Sequence, residues 1–579
     1  MSAVLRKLAS IHIKYISLFM VLGITRIVCG SFAIYLFQKL LDSIGAMHSI
    51  SDGVRGCLHV FVLYAVMMFL DHVFGYVTQY PEEKLKNSVL YQTKLMVLRK
   101  MECIDYNQYT NWGLGSTIQV VENGASAALN MLVDFWLYLF SELIPTIFIS
   151  VIFIGMYDIN TFTYIIAGYL LVFVATKLIM NKLLFIKDDI LTNEQFLNNR
   201  LVRGIMEVFL FRVEKMYKKE FKYCEETASQ IINARTKLKM LHELFFTLFV
   251  IFVLIVKIFV IFNGIMRISA QDPTYTVGII VALVSFIDRL YDPIASFNVR
   301  LVDYRLNKPA LQRLEAILDS RESANIEAGN HFVMTSCNII AKDLRFSIGE
   351  NRILNHFDIS IRDGSSVAII GASGSGKSSF IKLLLGINQD YLGSLRIDDK
   401  EINEICLNEF YDHISIVTQD APIFADTIRE NLVMGSQENY SDNRLYEALD
   451  AVGLKELVQG LDNQLMENVG EKGVKLSGGE RQRLAMARVF LHERRLLILD
   501  ECTSNIDSIM EKRIFEQLLD MRHSTIISVM HRLSNINQFD CILVVDSGKV
   551  VGNGTFQELL DGNKVFQTLW NSFQNEGNR

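Results

Sequence analysis

Apolar residues crowd the first half of the chain in six stretches, approximately 16–41, 58–79, 127–155, 161–183, 243–263 and 276–299. Each is about 20 residues or longer, enough to cross a hydrocarbon core of roughly 30 Å as a helix. Polar residues interrupt several of them, which predicts helices that face one another in a bundle. Around 82–105 and 184–240, apolar residues such as Leu85, Val89, Leu90 and Leu95 recur at helical spacing among charges. That pattern predicts that the membrane helices continue into water. Residues 300–320 read as a charged helix leaving the last span, and 321–335 as a polar linker. From about 336 the pattern changes to short β-rich runs alternating with helices, the mark of an α/β domain. The expected chain is multi-domain: an all-α, six-helix transmembrane domain over 1–325, then an α/β domain over 336–579.

Charge orients the first half. Residues 81–116 carry five Lys/Arg and 176–240 carry thirteen, whereas 43–58, 155–162 and 262–276 hold only Arg55 and Arg267. The positive-inside rule puts both termini and both long connections in the cytoplasm. The N-terminal apolar run lacks a small-residue cleavage site and is expected to stay as a helix. A net charge of -6 gives a nucleic-acid partner no electrostatic footprint. The eight cysteines are scattered without a CxxC pair, which reads as buried thiols in a reducing setting and not as a disulfide frame or metal cage.

The chemistry lies in the second half. Gly371-Ala372-Ser373-Gly374-Ser375-Gly376-Lys377-Ser378 follows the apolar run Val367–Ile370 and opens a helix through Leu385, the context of a phosphate-binding P-loop. Its glycines let backbone N–H groups wrap phosphates, Lys377 supplies charge to the β- and γ-phosphates, and the Ser378 hydroxyl is a Mg²⁺ ligand. Leu496–Leu499 runs into Asp500 and Glu501. The first carboxylate is placed to hold the Mg²⁺ shell and the second to orient or deprotonate an attacking water. In Leu476-Ser477-Gly478-Gly479-Glu480, Ser477 and Glu480 form a capping box. The two glycines bare a helix N-terminus whose free N–H groups and dipole attract an anion.

P-loop, LSGGE and LLILDE in this order resemble the ATPase domain of ABC transporters. The resemblance extends to Gln419 in SIVTQDAPIF, similar to the Q-loop residue that senses the γ-phosphate and takes part in the metal shell. Ser504 and Asp507 resemble the D-loop, and His531 in SVMHRLS the switch histidine. Gly470-Glu471-Lys472-Gly473 resembles the stretch preceding the signature in exporters. In the first half, 105–124 and 204–221 look like the two cytoplasmic coupling connections. Three residues depart from the family pattern: Ile348 stands where an aromatic residue usually stacks on adenine, Asn505 replaces a small D-loop residue, and Ser379 replaces a common Thr.

The resemblance implies a P-loop ATPase domain with a helical subdomain, using ATP and Mg²⁺. It further implies a half-transporter whose signature segment completes the ATP site of a second chain, identical or different. The cargo would be a peptide, lipid or drug-like amphiphile, exported across a bacterial cytoplasmic membrane; the alternative of the same architecture is an importer, as in siderophore uptake. A soluble ABC ATPase is disfavoured by the six spans, and an ATP-gated channel is the remaining class. Arg26, Asp71, Asp134, Glu142, Lys257 and Asp288 fall in or near predicted spans. Such residues face protein or water, either lining a cargo cavity or pairing between helices.

Overall fold

The computed structural model describes residues 2–45, 50–112, 114–323, 325–436, 438–470, 473–521 and 523–577. Within these it leaves out the side chains of 50–56, 107, 110, 111, 114–116, 160, 161, 166–181, 298 and 575–577. Two compact units emerge: Met1–Glu102 with Trp112–Ser320, and Cys103–Asn111 with Arg321–Arg579.

The first unit is helical. Among the described residues, four helices are long and apolar enough to cross a membrane: Ile13–Gly45, Cys57–Cys103, Thr117–Tyr157 and Tyr217–Ser269. The predicted stretch 161–183 lies in helix Ile159–Met206, with most of its side chains outside the described residues. The stretch 276–299 lies in helix Val277–Leu318 and carries Asp288, Arg289 and Asp292, which dilute its hydropathy. Tyr217–Ser269 has 53 residues. At the α-helical rise this is about 80 Å, far beyond a bilayer core of roughly 30 Å, so the charged connections are indeed continuations of the helices. Buried apolar side chains hold the bundle, Leu283, Phe286 and Ile287 packing with Ile154 and Phe249. The Phe153 and Phe286 rings stack with centroids 5.0 Å apart.

One helix is irregular. Asn130–Leu137 and Leu139–Leu143 are π-helical, between α-helical flanks Leu114–Leu129 and Ile144–Tyr157. A π-turn is wider than an α-turn, is rare in long runs, and is frequent at functional sites.

The second unit has two sheets. Strands β1 (Ile339–Ile348), β2 (Asn351–Ile361), β4 (Tyr391–Ile397) and β5 (Lys400–Glu401) form an antiparallel sheet ordered β2-β1-β4-β5. The other is ordered β10-β9-β3-β8-β7-β6, with β3 (Ser366–Ile370), β6 (Ile414–Val417), β7 (Leu496–Asp500), β8 (Thr525–Val529), β9 (Cys541–Asp546) and β10 (Lys549–Gly554). From β9 to β6 all neighbours are parallel. β3 and β8 are buried along their whole length, and β7 along its four leucine and isoleucine positions. That explains their largely apolar sequences: both faces are covered. One core lies between the sheets around Phe357, Phe380 and Ile498. The other, around Leu484, Met486, Leu497 and Phe515, includes the helices at 442–459.

Candidate active site

Sheet order assembles the site. β8 lies between β3 and β7, so the segment after β8 sits between the P-loop leaving β3 and the carboxylates ending β7. Gln419 follows β6, on the other side of β7. All four segments leave the carboxyl ends of parallel strands, where open α/β sheets bind their ligands.

The P-loop opens helix Lys377–Leu384. Gly374 and Gly376 have φ of +81° and +106°, values that L-residues avoid, and a Cβ on Gly376 would meet Leu354 Cδ2 at 2.6 Å. The loop folds round its own lysine: Lys377 Nζ donates to the Gly371 and Ala372 carbonyls at 2.8 and 3.0 Å. Burial pushes the Lys377 ammonium below its ordinary pKa, while Glu501 and Asp500 pull it back up. A lysine this costly to bury suits a position that an anion will occupy. The cavity here is about 310 Å³, lined by Ser373, Gly374, Gly376, Lys377, Ser378 and Ser379 from the P-loop, with Ile353, Glu501 and His531.

Asp500 is raised above the usual aspartate range, first by burial and then by the Glu501 charge, and the Ser378 hydroxyl bonds to its carboxylate. Its Oδ1 is buried without a partner. A hydroxyl and an unsatisfied carboxylate side by side fit a hard divalent cation bound through oxygen. Glu501 adopts φ +51°, strained for a non-glycine residue. Its N–H still donates to Val529 O at 3.1 Å, and its Oε1 lies 2.7 Å from His531 Nε2.

Ser477 caps helix Gly478–His492: its Oγ accepts from Glu480 N at 3.3 Å, and Glu480 Oε2 accepts from Ser477 N at 2.7 Å. The box expected from sequence is therefore present. Ser477 faces solvent, and none of Leu476, Ser477, Gly478, Gly479 or Glu480 is among the residues lining the P-loop cavity. Asp507 caps the next helix, Ser508–Leu519, accepting from Met510 N at 2.9 Å. Glu471 and Lys472 lie outside the described residues.

Some placements differ from expectation. Ile348 ends β1, is 59% exposed, and is not among the cavity residues. Ile353, from the neighbouring strand of the same hairpin, is. Gln419 is not among them either; its carbonyl accepts from Gln482 Nε2 at 3.4 Å. Gln482 was missed altogether. It is 2% exposed, and the same amide donates to Ser504 Oγ at 3.0 Å while its Oε1 accepts from Asn505 N at 2.9 Å. One side chain thus ties the signature helix to both loops. The signal was there: it stands three, four and seven residues before Ala485, Met486 and Val489, on the buried face of its helix.

In the membrane unit, Lys257 pairs with Asp288. A Cβ on Gly30 would meet Asp71 Oδ1 at 2.8 Å and would also collide with the Arg289 guanidinium, whose Nη2 donates to Ile27 O at 3.1 Å. Arg26 lies against Gly75, its Nε 3.5 Å from where a Cβ would be. Glu142 sits in the π-helical run. Asp134 lines a cavity with Arg300.

Fold and site together define a P-loop nucleotide-binding domain fused to a helical domain whose longest apolar helices could span a membrane. Residues 354–504 match the family described as ABC transporter. A lipid A-core flippase of Francisella tularensis is 35% identical over 236 residues, 41% of this chain and 39% of that one. A multidrug resistance-like ATP-binding protein of Buchnera aphidicola is 34% identical over 301 residues, 51% of each chain. The aligned part thus spans about two fifths to half of these curated relatives. An export ATP-binding/permease protein of Rickettsia prowazekii aligns over 92% of both chains at 24% identity. In fold, a bacterial Atm1-family ABC exporter with ATP bound superimposes with a TM-score of 0.83 at 22% identity, covering 97% of this chain and 98% of that one. Residues 354–504 thus carry an ABC transporter ATPase domain, and the chain as a whole has the fold of an exporter with fused helical and nucleotide-binding domains.

Proposed function

We propose that two copies of this chain use ATP to export an amphiphilic cargo, a lipid, peptide or drug-like molecule, across the cytoplasmic membrane. The observation that carries the reading is the one-sided nucleotide cavity: the P-loop wall is present, while Ser477 at the tip of the same chain's signature helix faces solvent and lies outside that cavity. A second copy would bring its own signature helix against the open side. The names of the relatives, lipid A-core flippase and multidrug resistance-like ATP-binding protein, favour an amphiphile as cargo.

In this reading residues 1–325 span the bilayer six times with both termini cytoplasmic, and 336–579 bind nucleotide. Lys377 leaves the Gly371 and Ala372 carbonyls for the β- and γ-phosphates, and the P-loop N–H groups from Ser373 to Ser379 hold the rest. Ser378 and Asp500, with Gln419 drawn in from β6, would hold Mg²⁺, which supplies positive charge to the phosphates when bound. Glu501 orients the attacking water and accepts its proton, and His531 moves from Glu501 to the γ-phosphate. Ser477 and Gly479 of the second copy cover the γ-phosphate with the dipole of their helix.

Reconstitution into proteoliposomes tests this. ATP-dependent movement of a labelled lipid or lipophilic peptide away from the ATPase side, lost in Lys377→Ala, is the expected result. Movement towards the ATPase side would establish the importer instead. ATP turnover at full rate by isolated monomers would overturn the paired site.

A further inference from the structure

Within the membrane unit lies a cavity of about 450 Å³, a size ordinary for a small-molecule pocket. Its walls come from the π-helical segment (Asn130, Asp134), from helix Tyr217–Ser269 (Phe246), and from helix Val277–Leu318 (Ser296, Val299, Arg300, Asp303). The two-carboxylate, one-guanidinium lining is unusual at the edge of a membrane bundle, where an ionised group costs roughly 2.5–3.5 kcal/mol near a helix centre.

The charges are not equally engaged. Arg300 is engaged with its own neighbours: Nη1 donates to the Asp134 carbonyl at 2.8 Å, and its guanidinium lies 3.9 Å from the centroid of the Tyr138 ring. Asp303 pairs with Lys187. Lys86 is taken by Glu82 at 2.7 Å and Glu83 at 3.4 Å. That leaves the Asp134 carboxylate, whose side chain is 38% exposed and which, among the described residues, forms an ion pair with Arg300 Nη1 alone, at 3.9 Å and beyond hydrogen-bond distance. The wide π-turns present Asn130 and Asp134 from the same run of backbone, and Phe246 and Val299 supply an apolar wall.

We infer that this cavity is a cargo site for amphiphiles with a cationic head group, a protonated amine or quaternary ammonium, with Asp134 as the residue that takes the charge. The inference rests on the transport reading and names the substrate class for it. A carboxylate in a partly dry pocket attracts an organic cation more strongly than it would in water. Phe246 adds a ring face for the same charge, and Asn130 and Ser296 offer hydrogen bonds to an amine.

The test uses the full chain in lipid nanodiscs without nucleotide. Three probes share a dansyl fluorophore and a dodecyl chain and end in an ammonium, a neutral amide or a carboxylate. The ammonium probe is expected to bind at least about tenfold more tightly than the carboxylate probe, a difference of ~1.4 kcal/mol. Asp134→Asn should weaken the ammonium probe by about the same factor and leave the amide probe where it was. Asp134→Glu should restore the preference, and Ser296→Asp should increase it. Equal affinities for the three probes, or an Asp134→Asn effect of the same size on all of them, would overturn the site. Because binding is read without ATP, a protein that prefers the ammonium probe yet moves nothing in proteoliposomes would refute export alone. Transport with no head-group preference would refute this site alone.

Discussion

The ATPase unit and the membrane unit bury charge in opposite ways. In the first, the charged groups converge on one point: Lys377, Asp500, Glu501 and His531 all follow the carboxyl ends of adjacent strands, and the buried Asp500 Oδ1 has no hydrogen-bond partner. In the second, charges are spread along the helices and mostly neutralise one another, Lys257 with Asp288 and Lys187 with Asp303. A site that handles phosphate must hold fixed residue types at fixed backbone positions. Along the membrane helices most charges need only a partner, which many arrangements supply, and the Asp134 cavity is the exception. The contrast teaches where single substitutions should be decisive and where they should be absorbed.

The sharpest test is Glu501→Gln. Losing the carboxylate while keeping shape and the binding residues should cut phosphate release by roughly 10²–10⁴-fold and leave ATP binding intact. Normal turnover would dissolve the distinction between the units, because no other residue at the strand ends is offered for the role. Next comes a matched pair of truncations at fully buried positions, Ile498→Ala and Leu283→Ala. In the ATPase core the loss should be about 2–5 kcal/mol. In lipid the reference state is already apolar, so the second should cost no more than about half as much. Hydrogen exchange resolved by unit would measure both, and equal losses would break the comparison. Gln482→Ala should lower kcat for ATP about tenfold, ~1.4 kcal/mol of barrier, by loosening Ser504 and Asn505, with ATP affinity nearly unchanged. A fall in affinity alone would make Gln482 a packing residue only. The smallest effect belongs to Ile348→Tyr. A ring at this exposed strand end should tighten ATP binding by about fivefold, the low end of base-stacking energies. Unchanged affinity, read by fluorescent-nucleotide displacement, would assign the adenine face to Ile353.

These differences also explain what could be read from the sequence. The P-loop, the strand ending in Asp500 and Glu501, and the Ser477 capping box were legible because each is a local pattern that fixes its own backbone. Gln482 and Ile353 were not, since they act through contacts between segments 63 and 22 residues apart in one case and across a hairpin in the other. The helical extensions of the spans were visible in their periodicity. The π-helical run at 130–143 was hidden, because a sequence that suits an α-turn suits a π-turn as well and only packing decides between them. Hydropathy located Lys257 and Asp288 but not their pairing, which depends on how two helices are rotated.

The uninterrupted helix Tyr217–Ser269 contains no proline. A rod of that length is a mechanical amplifier: pivoted at one end by about 5°, its tip sweeps about 7 Å at the α-helical rise per residue. Motion on the scale of a small molecule thus needs only a slight swing at the pivot, and no part of the rod has to unfold to deliver it.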